Sequence, residues 1–185
     1  MIKGIICFET EWDVRSKNTL NTEPLLMFLE SYYPGLECIH RNIVTKDQLK
    51  YYFKQFGIKK YEDYAIYFSI HGEKGIIKLE GEPKDEQLVA ISELVELGNN
   101  SFFNNKIVHF SSCRTMIGNG IENFLEISGA KVVSGYSKYV DMTKSAICDL
   151  TYFDTILKMK QLATVKKKMA SYDIAQELGF KIGIK

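Results

Sequence analysis

The feature that most constrains this chain is a repeated order of short apolar segments and amphipathic helical segments. Five segments rich in β-branched and aromatic residues are expected to be strands, and they lie at residues 2–8, 36–43, 64–70, 106–110 and 130–133. Near-continuous apolarity is typical of parallel strands that are buried on both faces. The sequence therefore predicts an α/β fold, a three-layer α/β/α sandwich in which helices flank a mainly parallel sheet.

Helical segments occupy the intervals between these strands. The sequence Thr45-Lys46-Asp47-Gln48 has the form of a capping box at a helix start. Gly129 is expected to end a helix, because glycine readily adopts the left-handed conformation found there. Residues 75–81 predict a hairpin arm, and helices are expected at about residues 88–97, 143–159 and 164–178, the last of which finishes the chain.

Composition limits the classes of function that need to be considered. The chain has 185 residues, of which 24 are basic and 23 acidic, and 45% are hydrophobic. This predicts one folded domain over residues 1–185, and the near-neutral charge argues against a nucleic-acid or membrane-surface protein. No apolar run reaches the roughly 20 residues of a spanning helix, and the start of the chain is too short and too polar for a signal peptide. We therefore expect a cytoplasmic protein.

Two strand ends carry the residues of greatest chemical interest. In an open parallel sheet, binding and catalytic sites form at the carboxyl ends of the strands. Only His71, among the three histidines, follows a long apolar strand, and only Cys113, among the four cysteines, lies where a strand gives way to a loop. The scattered cysteines lack the paired spacing of a zinc site, so we expect no metal, and the other three thiols are expected to be packed hydrophobes.

A cysteine and a histidine on consecutive strand ends can perform nucleophilic catalysis. The thiolate is the nucleophile, and the imidazole can accept the thiol proton and later donate it to a leaving amine. The backbone N–H groups of Gly72 and Cys113 could then form an oxyanion hole. The alternative interpretation is a buried cysteine and a turn histidine without any catalytic role.

The combination of these segments resembles the caspase-like (clan CD) cysteine peptidases. Cys113-Arg114 matches part of the caspase signature Q-A-C-[RQG]-G, in which the histidine lies about 50 residues upstream, although the flanking residues here differ. The similarity to the CHAT family is greater, through a strand that ends in His71-Gly72, a second that ends in Ser111-Ser112-Cys113, and the later segment Tyr139-Val140-Asp141.

The resemblance implies a cysteine endopeptidase with a His71–Cys113 dyad, an acyl-enzyme intermediate, a protein or peptide substrate and no cofactor. It also implies a substrate pocket lined from the end of the first strand and from the strand after the nucleophile. Acidic residues in those positions, Glu9, Glu11, Asp13 and Asp141, outnumber Arg15 and Lys138 and favour a basic substrate residue. The backbone of Ser134, Gly135 and Tyr136 is expected to pair with an extended peptide. Trp12 is expected either to wall the cleft or only to anchor its loop.

Other interpretations remain open at this stage. The acidic residues at the strand ends can be solvated loop residues, and the cluster Glu80, Glu82, Asp85 and Glu86 is a weak candidate for calcium that more simply forms a surface turn. The chain can also be a catalytically silent caspase-like interaction module. A flavodoxin-like or receiver-like domain is disfavoured, because the loop after the first strand is acidic and lacks glycine. An active peptidase of this size is expected to be regulated by a partner chain, an oligomer or a ligand.

Overall fold

The computed structural model describes residues 2–10, 12 and 21–185. Its strands are β1 (Gly4–Glu9), β2 (Glu37–Asn42), β3 (Tyr64–Ser69), β4 (Gly72–Glu73), β5 (Ile76–Lys78), β6 (Leu88–Ala90), β7 (Ile107–Ser111), β8 (Val132–Tyr136) and β9 (Phe180–Ile184). Its helices are α1 (Glu23–Tyr32), α2 (Lys46–Phe56), α3 (Glu93–Leu97), α4 (Gly120–Ser128), α5 (Met142–Lys158), α6 (Leu162–Ala170) and α7 (Asp173–Glu177).

The main sheet has six strands in the order β2-β1-β3-β7-β8-β9. The first five run parallel to one another, and β9 pairs antiparallel with β8. The predicted mainly parallel sheet is therefore confirmed. Because β3 and β7 are adjacent, the loops that follow them leave the sheet side by side at its carboxyl edge.

Successive side chains of the central strands enter two separate hydrophobic cores. In β1, Ile6 and Phe8 pack with residues of α2, α3 and α4, whereas Ile5 and Cys7 pack with residues of α1, α5, α6 and α7. This is the two-residue period of a strand, and it explains why the central strands contain hardly any polar residues. The sheet is thus covered on both faces, and the predicted three-layer sandwich is confirmed.

Local signals in the sequence set two helix ends as predicted. The Thr45 hydroxyl accepts a hydrogen bond from the Gln48 N–H at 3.2 Å, and the Gln48 side chain accepts one from the Thr45 N–H at 3.2 Å. These two bonds form the capping box of α2. Helix α4 ends at Gly129, whose φ of +66° lies in the left-handed region.

Two predicted helices are wrong in part. Residues 88–90 form β6 instead of the start of a helix, because Val89 pairs with Ile77 and completes a small antiparallel sheet of β4, β5 and β6. The helix expected over 164–178 is divided into α6 and α7, and the chain continues into the unpredicted strand β9, which pairs with β8. Within the described part of the chain, no helix is long and apolar enough to cross a membrane.

Candidate active site

His71 follows β3 and lies half-buried at the carboxyl edge of the sheet. The Trp12 ring contacts it edge-to-face, with 4.4 Å between ring centroids. Burial lowers the pKa of His71, and nearby Lys78 adds to this effect, whereas Glu80 and a hydrogen bond to the Trp12 backbone oppose it. Because the net shift of the pKa is downward, the neutral imidazole, which can accept a proton, is favoured.

Cys113 lies two residues after the end of β7, and its side chain is partly exposed. The Val140 N–H points at its sulfur with an N–S distance of 3.5 Å, and the Val140 carbonyl oxygen lies 3.8 Å from the same sulfur. Burial raises the pKa of Cys38 and of Cys148 to about 12 and raises that of Cys7 well above its ordinary value. These three thiols are therefore held in the unreactive protonated form.

Gly72 brings the hairpin against the loop that carries Cys113. A Cβ atom at this position would lie 2.7 Å from Cγ2 of Thr115 and 2.8 Å from Cβ of Ser112, so only glycine permits this approach. The His71 carbonyl accepts a hydrogen bond from the Lys78 N–H at 2.9 Å. This bond makes Gly72 and Ile77 a non-hydrogen-bonded pair, in which the Gly72 N–H points away from β5. The Gly72 N–H is thus not used in pairing with β5, and its role as an oxyanion donor stays a prediction.

Arg114 fastens the cysteine loop to two neighbouring segments. Its carbonyl accepts from the Gly75 N–H at 3.3 Å, and its own N–H donates to the Lys138 carbonyl at 3.0 Å. Its guanidinium group donates to Glu73 at 2.9 Å and to the Tyr139 hydroxyl at 3.0 Å. Arg114 has a φ of +53°, a strained conformation for a residue with a side chain, and these four contacts hold it there.

His71 and Cys113, the two predicted catalytic residues, both line one cavity of about 550 Å³. Its lining residues are Trp12, Asn21, Thr22, Leu25, Tyr67, Ser69, Ile70, His71, Ser111, Cys113, Val140, Asp141, Met142, Thr143, Ser145, Ala146 and Asp149. The lining combines apolar side chains with a group of hydroxyl and carboxylate side chains. The structure thus brings together His71 and Cys113, and their catalytic roles stay a prediction.

A buried polar cluster lies against this cavity and was not predicted from the sequence. Asp149 is 1% exposed, and its carboxylate contacts the His109 ring nitrogen Nε2 at 2.7 Å and accepts from the Tyr67 hydroxyl at 2.8 Å. The Tyr136 hydroxyl also donates to it, and Ser134 contacts the other ring nitrogen of His109 at 2.9 Å. A signal was present in the sequence, because Asp149 shares its helical spacing with the apolar residues on the buried face of α5.

Several residues that were predicted to bind the substrate do not line the cavity. Glu9 is 1% exposed, does not line the cavity and instead accepts hydrogen bonds inside the protein. Ser134, Gly135 and Tyr136 are buried in β8 between β7 and β9, so their backbone cannot pair with a peptide, and this prediction is wrong.

Asp141 does line the cavity, where its carboxylate also caps α5 by accepting from the Lys144 N–H at 3.0 Å. Its role in substrate binding stays a prediction. Glu11, Asp13 and Arg15, which were also considered for the pocket, lie outside the described residues. Trp12 lines the cavity, which was one of the two roles predicted for it.

The acidic cluster considered for calcium forms part of the turn after β5. Glu80 pairs with Lys78 at 3.0 Å, and Glu82 accepts from the Lys46 N–H at 2.6 Å. Among the described residues there is no group of three or more His, Cys, Asp or Glu side chains that could hold a metal ion.

Comparison with solved structures shows the fold, and the family model that matches the chain gives no activity. A family model described as "Family of unknown function (DUF6642)" matches residues 3–183. The structure is similar to that of caspase-1 from Spodoptera frugiperda, with a TM-score of 0.59 and 11% identity over 99% of this chain and 86% of that one. A structure described as pro-sf-caspase-1 gives a TM-score of 0.57 and 10% identity over 95% of this chain and 80% of that one. No curated protein matches the sequence.

The caspase-like fold is therefore established, because the central sheet and its flanking helices match those of caspase-1. Sequence identities this low carry the fold alone. The finer resemblance to CHAT domains rests on the sequence motifs and stays a prediction.

Proposed function

We propose that this chain, which belongs to the DUF6642 family of unknown function, is a cysteine endopeptidase. The observation that carries the proposal is that His71 and Cys113, which follow adjacent strands, line one cavity. The similarity of the fold to caspase-1 supports it further. Cys113 is the proposed nucleophile and His71 the proposed acid and base.

In the first half of the reaction, His71 accepts the Cys113 proton, and the thiolate attacks the carbonyl carbon of the scissile peptide bond. The carbonyl oxygen becomes an oxyanion, which accepts hydrogen bonds from the N–H groups of Gly72 and Cys113. When the C–N bond breaks, the imidazolium of His71 donates its proton to the leaving amine. The acyl group remains on Cys113 as a thioester.

In the second half, water attacks the thioester carbonyl and gives a proton to His71. The C–S bond then breaks, the carboxylic acid product leaves, and the proton of His71 returns to the sulfur. The half-buried position of His71 suits both halves, because a lowered pKa lets the imidazole release the proton that it has accepted.

The charge of the cavity supports a preference for a basic residue before the scissile bond. Asp141 and Asp149 line it, and among the described lining residues the only basic side chain is His71. Asp149 is already saturated by buried donors, whereas Asp141 is exposed. Asp141 is therefore the carboxylate that a lysine or arginine of the substrate can contact directly.

Covalent labelling tests the nucleophile and its base. A peptidyl chloromethyl ketone with arginine at its reactive end should alkylate Cys113, and His71→Ala should abolish this reaction. Cys38, which is also partly exposed, is the control within the same chain, and Cys38→Ala should leave the labelling of Cys113 unchanged. If Cys113 reacts no faster than Cys38, the chain is a catalytically silent interaction module instead.

A peptide-library cleavage profile tests the substrate preference. The wild-type chain should cleave after arginine or lysine, and Cys113→Ala should cleave nothing. Asp141→Asn keeps a good helix cap and removes the charge, so it should lower kcat/KM for basic peptides about two- to fivefold, as an exposed ion pair does, and leave neutral peptides unaffected. Equal losses for basic and neutral peptides would remove Asp141 from substrate recognition.

Control of this activity by a partner chain, an oligomer or a ligand is part of the proposal. Specific activity should then rise with protein concentration or on addition of the activating component. An activity that is constant per molecule from nanomolar to micromolar concentration would exclude control by self-association.

A further inference from the structure

Glu9 is a buried carboxylate that gathers donors from four parts of the chain. It accepts hydrogen bonds from the Thr22 N–H at 2.9 Å, the Thr22 hydroxyl at 3.0 Å, the Ser69 hydroxyl at 3.3 Å and the Trp12 indole N–H at 2.8 Å. The ring nitrogen Nε2 of His40 lies 2.6 Å from the same carboxylate. A carboxylate buried this deeply costs folding free energy unless it is fully paired, and here it is paired by five donor groups.

The partners of Glu9 form a wall of the catalytic cavity, although Glu9 itself does not line it. Trp12, Thr22 and Ser69 all line the cavity together with His71. Each of these three side chains donates a hydrogen bond to the Glu9 carboxylate. The position of this wall therefore depends on the hydrogen bonds of Glu9.

Trp12 contacts both the Glu9 carboxylate and the imidazole of His71, the proposed catalytic base. One edge of its indole is fixed through Nε1 to Glu9, and its ring contacts His71 edge-to-face at 4.4 Å. The strength of an aromatic contact of this geometry depends on the relative orientation of the two rings. The Trp12 ring thus limits both the rotation of the imidazole and its access to water.

We propose that Glu9 and Trp12 are positioning residues for His71, with Glu9 acting on the imidazole through the indole N–H of Trp12. This inference rests on the proposed function, since it assigns a role within the same dyad. The carboxylate fixes the indole, and the indole fixes the imidazole at the cavity that His71 shares with Cys113. The other charged groups nearby are His40 on β2, which contacts Glu9, and the Lys78–Glu80 pair, which acts on the pKa of His71. They stay unchanged in the variants below.

The test is a double-mutant cycle read by the pH profile of Cys113 alkylation. Glu9→Gln, Trp12→Phe and the double variant of the full chain are treated with iodoacetamide between pH 5 and 9, and labelling of Cys113 is quantified by mass spectrometry. Trp12→Phe keeps an aromatic ring at this position and loses the N–H that reaches Glu9, together with part of the indole ring area. Glu37→Gln is the control for loss of a carboxylate away from the cavity, because exposed Glu37 accepts from the Tyr64 hydroxyl at the opposite end of the strands.

We expect each single variant to lower the rate at neutral pH about three- to tenfold, less than the roughly 100-fold effect of a 1 Å misplacement. Glu9→Gln and Trp12→Phe should shift the pH profile of Cys113 alkylation in the same direction as each other. The double variant should be no worse than the stronger single variant, because both changes break one connection. Glu37→Gln should keep the wild-type profile.

Other outcomes overturn the inference and can be told apart from failure of the proposed function. Additive losses of the alkylation rate in the double variant would show that Glu9 and Trp12 act by separate routes. A fall in Tm with an unchanged pH profile would show that Glu9 only stabilises the fold. If Glu9→Gln does not fold, an unchanged profile in Trp12→Phe overturns the inference by itself. If wild-type Cys113 reacts no faster than Cys38, it is the peptidase proposal that fails.

Discussion

Replacement of Asp149 by asparagine removes the charge of the buried cluster behind the cavity and keeps the shape of the side chain. The carboxylate is paired with His109 and also accepts from the hydroxyls of Tyr67 and Tyr136. An amide supplies one acceptor oxygen, and its NH₂ group faces donors that need acceptors. At least one buried donor is then left without a strong partner.

The expected loss follows from the near-complete burial of both partners. Asp149 and His109 have side-chain exposures of 1% and 0%, so solvent cannot replace the lost contact. Removal of one partner of such a pair typically costs about 3–5 kcal/mol. For a chain of this length each kcal/mol corresponds to roughly 2–4 °C, so we expect Asp149→Asn to lower Tm by roughly 6–20 °C.

The matched control is Asp154→Asn on the same helix. Asp154 accepts from Tyr33 and pairs with Lys158, and its side chain is 35% exposed. Its replacement should cost about 1 kcal/mol or less in the free energy of unfolding, as for other exposed pairs. Thermal and urea unfolding of the two variants provide the comparison. A loss below about 1 kcal/mol for Asp149→Asn would refute the view that the charged cluster stabilises the fold.

The pH dependence of this difference provides a second check. Burial alone would raise the pKa of Asp149, but the contact with His109 and hydrogen bonds from its neighbours outweigh it, and the net shift is downward. A carboxyl whose folded-state pKa is lowered stabilises the fold above its unfolded pKa of about 4 and loses this effect as the pH falls through the folded value. The stability difference between wild type and Asp149→Asn should therefore be full at pH 7 and should narrow below about pH 4.

Three further predictions concern the site and one helix. Gly72→Ala should cost about 1–3 kcal/mol in the free energy of urea unfolding, because the added Cβ meets Thr115 and Ser112. If Gly72 is the proposed oxyanion donor, its displacement should also lower kcat about 10²- to 10³-fold. An activity within twofold of wild type would contradict the close packing. Glu80→Gln should lower the pKa of His71 and shift the acid limb of the pH–rate profile to lower pH. Lys78→Gln should shift the same limb to higher pH. Shifts of the same sign in the two variants would contradict opposite electrostatic effects of Glu80 and Lys78 on His71. Thr45→Ala should cost about 1 kcal/mol in thermal unfolding by removing the cap of α2, with no change in the reactivity of the site.

The central part of the fold was predictable because its signals are local. The strands around Ile6 and Ile66 are apolar on both faces, and this pattern requires helices on both sides of the sheet. The placement of His71 and Cys113 followed from the same pattern, since the ends of parallel strands meet at one edge of the sheet. The capping box at Thr45 was equally clear, because both of its hydrogen bonds lie within four residues.

The wrong predictions concern segments whose structure is decided by distant partners. Residues 88–90 have apolar spacing that a helix could share, and the pairing of Val89 with Ile77 makes them a strand. Strand β9 is a five-residue segment with a glycine, and it exists because β8 has an open edge. That pairing also closes the backbone of Ser134, which the sequence alone left free for a substrate.

By itself, the sequence determined the layered α/β fold and the two side chains at adjacent strand ends, because strand periodicity and residue type are local properties. Only the tertiary structure decided the role of Glu9, which is acidic and next to a loop and therefore resembled a substrate-binding residue. In the folded chain its carboxylate is 1% exposed and is surrounded by donors from Trp12, Thr22, His40 and Ser69. Whether a charged side chain faces solvent, a substrate or the interior depends on which distant segments pack around it, and that information is carried by the fold and not by the neighbouring residues.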